Sequence, residues 1–392
     1  MGHHRRILVL LFLCVSLASP MPSTAEPLAD CAAPVSLDDG WQVADAAGAG
    51  FDPARLCAAL RAFRTSPRNL HAVVVERGGR VVAETYRAGL DVPWLLVAPR
   101  RVTFGPGTLH DMRSISKSVV GLLWGIAQAD VGLPPVQTPV LDLFPHLADL
   151  RTGGRERITL EDLLSMRSGL AWDEMGRYGG LGNDENGLAW RGDIPRYVFD
   201  RPLATGPGRH FNYDGGHTAV LAELIQQRTG STLQEYVRRK LFEPLGITHW
   251  EWGTDLRGRA RAYAGLRLRP RDLARLGRLV LAGGTWQGRE VVPAAWLQAS
   301  FAPRVPYGEP GMGSDSNYGY QWWLGTVRAG GRSFAFRAAV GNGGQRLFIV
   351  PDLDLVVVLT AGEYNDPGVA PELRRVLDLI VESAAAGSAA TP

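Results

Sequence analysis

The β-rich runs of this 392-residue chain lie at its two ends and the helical runs fill its middle, an order that strongly limits how the chain can fold. Near the start, His71–Val75 and Val81–Tyr86 flank Arg77-Gly78-Gly79, which predicts a hairpin. Near the end, Tyr318–Leu324, Ser333–Val340, Gln345–Val350 and Leu355–Thr360 read as strands, with Pro351-Asp352 turning between the last two. A sheet drawing strands from both ends must leave the middle as an insertion. The expected fold is therefore α/β (α+β): an antiparallel sheet flanked by helices, with a large inserted all-helical lobe. The expected layout has an N-terminal extension at 26–50, a main domain at 51–385 and a disordered Ala/Gly/Ser tail at 386–392. Within the domain the sheet-bearing lobe takes 51–125 and 260–385, and the helical lobe 126–259. An apolar share of 45% is ample for a core of that size.

The helices follow from spacing and punctuation. Leu56, Ala59, Leu60 and Phe63 recur at helical intervals before the breaker Pro67, which predicts a helix over 51–63. Met112–Ala127 is apolar on nearly every face from Val119 onward, so it is expected to be a helix buried in the middle of the molecule, with Ser114 in its first turn. Thr159 and Asp162 form a capping-box pattern, and Gly169 is expected to close that short helix in a left-handed cap. Thr218–Arg228 and Leu233–Phe242 are separated by Thr229-Gly230-Ser231. Pro270 opens a helix to about Ala282, and Glu372–Ser383 is the last.

The first residues read as an export signal over 1–25: Arg5-Arg6, an apolar run from Ile7 to about Ala18, then Ser23-Thr24-Ala25. That run is too short to span a bilayer, so no stable membrane anchor is expected after cleavage, and the localisation expected is periplasmic or extracellular. An uncleaved amphipathic anchor is the competing reading. Lys and Arg number 42 against 39 Asp and Glu, and cleavage would remove Arg5 and Arg6 but no acid, leaving the chain close to neutral. With arginines scattered and no basic stripe, nucleic acid is set aside as a partner. Cys31 and Cys57 remain after cleavage. An exported compartment permits them to pair as a disulfide; two unrelated buried thiols are the alternative.

Lys117 is one of two lysines in an arginine-rich chain, three residues after Ser114. A lysine ammonium can give up its proton inside a protein where an arginine guanidinium cannot, so Ser114-Ile115-Ser116-Lys117 can place a base against a hydroxyl on one helix face. Apolar surroundings and the positive helix end both disfavour the ammonium, and the same end favours an oxyanion beside Ser114. The bland reading is a serine N-cap beside a solvated lysine. Tyr213, on the turn-rich loop Pro207–Gly216, is a candidate proton relay whose pKa a neighbouring ammonium would lower, or else a packing residue. Gly341-Asn342-Gly343-Gly344-Gln345 can bring backbone N–H groups to a developing negative oxygen, or be a plain glycine turn. His210 and His217 read as loop and helix-start residues rather than metal ligands. Asp173 and Glu174 read as solvated loop carboxylates that can also reach substrate.

With these residues in place, the chain resembles the penicillin-binding proteins and serine β-lactamases. Ser114–Lys117 resembles their Ser-x-x-Lys motif and Tyr213-Asp214-Gly215 their Tyr-x-Asn, while Gly341–Gln345 stands where they carry Lys-Thr-Gly. Met166–Glu174 together with Gly341–Gln345 looks most like the branch of 6-aminohexanoate-dimer hydrolases and esterases. The resemblance implies Ser114 as acylated nucleophile, Lys117 as base, Tyr213 as proton relay and the N–H groups of Ser114 and Gln345 as oxyanion hole. Asn342, Gly343, Gly344, Trp172 and Asp173 are the expected substrate contacts. It implies an esterase or amidase acting on a small molecule without metal or organic cofactor. The alternatives are a β-lactamase or D-amino-acid peptidase, and a non-catalytic binding protein on the same fold. Two departures weigh against β-lactams: Gly215 replaces an asparagine, and no lysine precedes Gly343. Loss of that cation removes a contact worth roughly 1.5–3 kcal/mol.

Overall fold

The computed structural model describes residues 31–93, 98–175, 182–307, 312 and 315–389. The proposed signal segment lies outside these residues, as do residues 176–181. The central sheet has nine strands: β1 (Gln42–Val43), β2 (Leu70–Arg77), β3 (Arg80–Tyr86), β4 (Val305–Pro306), β5 (Asn317–Tyr318), β6 (Trp323–Ala329), β7 (Arg332–Gly341), β8 (Gln345–Val350) and β9 (Leu355–Ala361). Their order across the sheet is β1-β3-β2-β9-β8-β7-β6-β5-β4, so β2 from the first part of the chain pairs with β9 from the last. All pairings are antiparallel except the two-residue β1–β3 contact.

Both faces of the sheet are covered, which explains why 347–350 in β8 and 355–359 in β9 are unbroken apolar runs rather than alternating ones. Successive side chains point to opposite faces. Val73 and Val75, Phe348 and Val350, Val357 and Leu359 join the core under α1 (Pro53–Thr65) and the C-terminal helix (Val369–Ala389). Val74, Leu347 and Ile349, Val356 and Val358 join the other core, under α2 (Ile115–Val131) and the helix Pro270–Leu281. That second core continues without a break into the helical lobe, through α3 (Leu160–Leu164) and α4 (Gly215–Thr229). Cys31 and Cys57 are joined in a disulfide that ties the N-terminal extension to α1.

Several sequence expectations shift. Tyr318–Leu324 is not one strand, because Gln321 takes a φ of +62° and turns the chain inward between β5 and β6. Its buried amide then bridges the lobes, donating to Leu164 O at 3.1 Å and accepting from Thr218 Oγ1 at 2.7 Å. The capping box of Thr159 and Asp162 is present, but α3 stops at Leu164 with Met166 at φ +58°, before Gly169 is reached. Gly169, at φ +79°, instead serves a close approach: a Cβ there would stand 2.3 Å from Thr205 O. The α-helix from Leu233 widens into a π turn over Arg238–Phe242. The last helix runs on to Ala389, into the stretch expected to be a disordered tail.

Candidate active site

Ser114 stands at the mouth of α2, where the chain leaves the two-residue strand His110–Asp111. The residue before it, Arg113, has φ +50°, an unfavourable conformation for a side-chain-bearing residue. Its buried side chain is pinned by Asp111 at 3.4 Å and Val92 O at 3.0 Å, and lies 4.2 Å from the Tyr364 ring centroid. This kink starts the helix at Ile115 instead of 112. Ser114 occupies the N-cap position yet caps no helix N–H, so its hydroxyl is left to other partners.

Its neighbours are Lys117 and Tyr213. Lys117 Nζ lies 3.1 Å from Ser114 Oγ, and the buried Tyr213 side chain lies beside Ser114 on the wall of the same cavity. The Lys117 ammonium is also 4.8 Å from the Tyr213 ring centroid. Tyr213 is held by the preceding residue: Asn212 N–H donates to Met166 O at 2.9 Å, and its amide donates to Leu170 O and Trp172 O at 3.2 and 3.1 Å. The Pro207–Gly216 loop is thus laid against the 166–172 segment. Burial, outweighing the Lys117 charge, pushes the Tyr213 phenol up to about 12. This reverses the sequence expectation of a lowered pKa, and it makes Tyr213 a proton carrier at neutral pH instead of a phenolate.

The surroundings of Lys117 also differ from those expected. The side chain is buried, but not among apolar groups alone: Nζ lies 3.2 Å from Glu174 Oε1, 3.3 Å from Glu185 Oε2 and 3.1 Å from Tyr263 O. Neither carboxylate is a solvated loop group, since both residues are 1% exposed. Glu174 Oε2 accepts from Trp172 Nε1 at 3.0 Å and from the Gly215 N–H at 2.6 Å. Asn183 places both acids, donating to Glu174 O at 2.9 Å and capping the short helix Asp184–Gly187 that carries Glu185. Burial and the charge of Glu174 push the Glu185 carboxyl well above the usual range. Burial alone would raise Glu174 as well, but the Lys117 charge, a hydrogen bond from Glu185, Trp172 and the Gly215 N–H outweigh it and hold Glu174 low.

Ser114 opens into a cavity of about 410 Å³. Its walls are largely apolar, with Tyr307, Trp323, Val340, Val369 and Ala370, and Arg346 contributes a cation. One rim is the Gly341–Gly344 turn, in which Gly343 and Gly344 take φ of +90° and +97°. Asn342 locks that turn to the next loop by a reciprocal pair with Asn365, at 2.8 and 2.9 Å. Gly341 is needed for a different reason: a Cβ there would stand 2.2 Å from Met112 O, beside the nucleophile.

Ser114, Lys117, Tyr213, Asn342, Gly343 and Gly344 are therefore brought together. Gln345 is not part of the cavity wall; it begins β8 on the far arm of the hairpin, with its side chain turned into the core toward Ala361 O. Trp172 and Asp173 are not on the wall either. Trp172 is buried on Tyr197 and spends its N–H on Glu174, while Asp173 points to solvent. His217 is buried against Ser168 at 2.7 Å and Asp214 at 3.0 Å, and His210 is exposed. Glu185, Tyr307, Trp323 and Arg346 were not found from the sequence. Glu185 lies eleven residues beyond Glu174 in a stretch with no periodic signal, and the cavity aromatics look like ordinary strand residues.

A buried serine–lysine–tyrosine cluster at the junction of a sheet and a helical lobe defines a serine hydrolase. The Beta-lactamase family description matches residues 68–381, most of the chain, and the chain belongs to that family. Among curated relatives, 6-aminohexanoate-dimer hydrolase of Paenarthrobacter ureafaciens is 28% identical over 333 residues, 79% of each chain. Lovastatin esterase of Penicillium rubens is 31% identical over 137 residues, 32% of each chain. Among solved structures, a penicillin-binding protein homologue from Caulobacter crescentus superposes with a TM-score of 0.63 at 18% identity, covering 84% of this chain and 97% of that one, a likeness of fold.

Proposed function

We propose that this protein hydrolyses a small ester or linear amide through an acyl-enzyme on Ser114. The observation that carries the reading is the position of Ser114 Oγ, 3.1 Å from Lys117 Nζ, beside Tyr213 and open to the cavity. In acylation Ser114 Oγ attacks the carbonyl carbon while its proton passes to Lys117 in its neutral form. Tyr213 gives its proton to the departing alcohol or amine and is reprotonated by Lys117. Water then attacks the acyl carbon along the reverse route, and Ser114 leaves. The oxyanion formed in each half is met by the Ser114 N–H at the start of α2 and by the backbone N–H of Gln345, at the end of the turn opposite Gly341.

An apolar wall of Tyr307, Trp323 and Val369 suits a short acyl chain or alcohol. The names of the hydrolase and esterase relatives support amide and ester substrates. Export is part of the same proposal, supported by the Cys31–Cys57 disulfide, which an oxidising compartment would preserve. No helix among the described residues is long and apolar enough to cross a membrane. The test is turnover of p-nitrophenyl butyrate, a linear six-carbon amide and benzylpenicillin. Ester or amide cleavage that disappears in Ser114→Ala is expected. A stable penicilloyl adduct with no ester or amide turnover would favour a penicillin-binding enzyme instead.

A further inference from the structure

Resting on Ser114 and Lys117 as nucleophile and base, a further assignment concerns the acids behind the lysine. We propose that Glu174 and Glu185 together hold one proton and one negative charge, with Glu174 ionised toward Lys117 and Glu185 neutral, and that this charge sets the pH at which Lys117 becomes a base. The pair replaces the asparagine missing from the second motif. A Cβ on Gly215 would stand 3.0 Å from Glu174 Oε2 and 3.0 Å from Glu185 Oε2, so the space a side chain would fill is taken by two carboxyl groups.

The hydrogen-bond donors distinguish the two acids. Glu174 receives Lys117, Trp172 Nε1 and the Gly215 N–H, all donors that favour a carboxylate. Among the described residues Glu185 receives Lys117 alone and faces Glu174, so a proton on Glu185 turns the carboxyl–carboxyl contact from repulsion into a hydrogen bond. Two ionised acids against one ammonium would leave a net charge in a buried site, whereas one proton makes the trio neutral. The other groups facing the trio are Tyr213, Tyr263 and Arg261, with Asp255 behind Arg261. Neither acid lines the cavity, so both act through Lys117 as positioning residues.

For Lys117 to accept the Ser114 proton, its ammonium must first release a proton to solvent, and a facing carboxylate opposes that release. Removing the charge of Glu174 therefore extends activity to lower pH. Removing the carboxyl of Glu185, already neutral, does not.

The test is the rate at which a fluorophosphonate labels Ser114 as a function of pH. In that reaction Oγ bonds to phosphorus, fluoride leaves with the P–F electron pair, and the hydroxyl proton goes to Lys117. In Glu174→Gln the acid limb is expected to move down by about 1–2 pH units. In Glu185→Gln labelling slows but the limb keeps its place. Equal movement in both variants, or none in Glu174→Gln, overturns the assignment. If Glu174→Gln does not fold, infrared spectra decide: the wild type should show a protonated-carboxyl C=O stretch at pH 8 that Glu185→Gln removes, and absence of any such difference overturns the assignment. A wild type that is not labelled at any pH refutes the serine-nucleophile reading, and this one falls with it. A labelled wild type whose limb ignores Glu174 refutes only the charge assignment.

Discussion

The backbone N–H of Gly215 donates a 2.6 Å hydrogen bond to Glu174 Oε2, at the point where a side chain on residue 215 would otherwise stand. The glycine thus gives Glu174 both a donor and the room to reach Lys117. Gly215→Ala would put a Cβ within 3.0 Å of both acids, and a shift of a few tenths of an ångström in the flexible carboxyl ends would follow. The expected result is a folded protein in which Ser114 reacts roughly 10–10²-fold more slowly, because Lys117 moves with its partners. Rates of fluorophosphonate labelling, with melting temperature as the control, measure it.

Lys117→Arg keeps the positive charge and the two acids but supplies no group able to lose a proton. Its acylation rate is expected to fall about 10²–10⁴-fold with little change in KM. Tyr213→Phe should lower kcat by a similar factor, and more for a substrate with a poorer leaving group, since the lost proton donor matters most there. Parallel kinetics on p-nitrophenyl and ethyl esters check that ordering.

Gly341→Ala brings a Cβ to 2.2 Å from Met112 O, a backbone atom that cannot rotate away. The end of β7 must part from the segment leading to Ser114. A loss of about 1–3 kcal/mol in stability is expected, together with loss of labelling under conditions where the variant is still folded. Urea unfolding followed beside labelling separates the two effects.

Glu76 is buried in β2 against Arg278, at 2.8 Å, and burial outweighs that partner and pushes its carboxyl up to about 7. The folded protein therefore holds the Glu76 proton more tightly than the unfolded chain. The stability this gives is fully present below pH 4.5, the ordinary value, and is lost as pH rises toward 7. Relative to Glu76→Gln, the wild type is expected to lose on the order of 2–3 kcal/mol across that window. Chemical unfolding of both proteins at several pH values checks the slope.

The strands and main helices were legible because their signals are local: β-branched runs between Gly and Pro turns, and apolar residues at helical spacing. Ser114, Lys117 and Tyr213 were legible because three short motifs keep their order in the chain. What escaped depends on distant contacts. Whether Glu174 faces water or Lys117 is decided by Asn183, Trp172 and Gly215, none of which marks its neighbour in the sequence. Trp172 was singled out as a substrate contact, yet its N–H is turned away from the cavity toward Glu174. Gln321 read as mid-strand, but tertiary hydrogen bonds to Leu164 and Thr218 hold it in a turn that no local preference would favour.

The most direct measurement of the account is intact-mass spectrometry with peptide mapping of Tyr213→Phe and wild type, mixed rapidly with p-nitrophenyl butyrate. One butyryl group on Ser114, absent from Ser114→Ala, is the result the account predicts. Ester turnover with no adduct on Ser114, or an adduct on another residue while Ser114→Ala stays fully active, would contradict it.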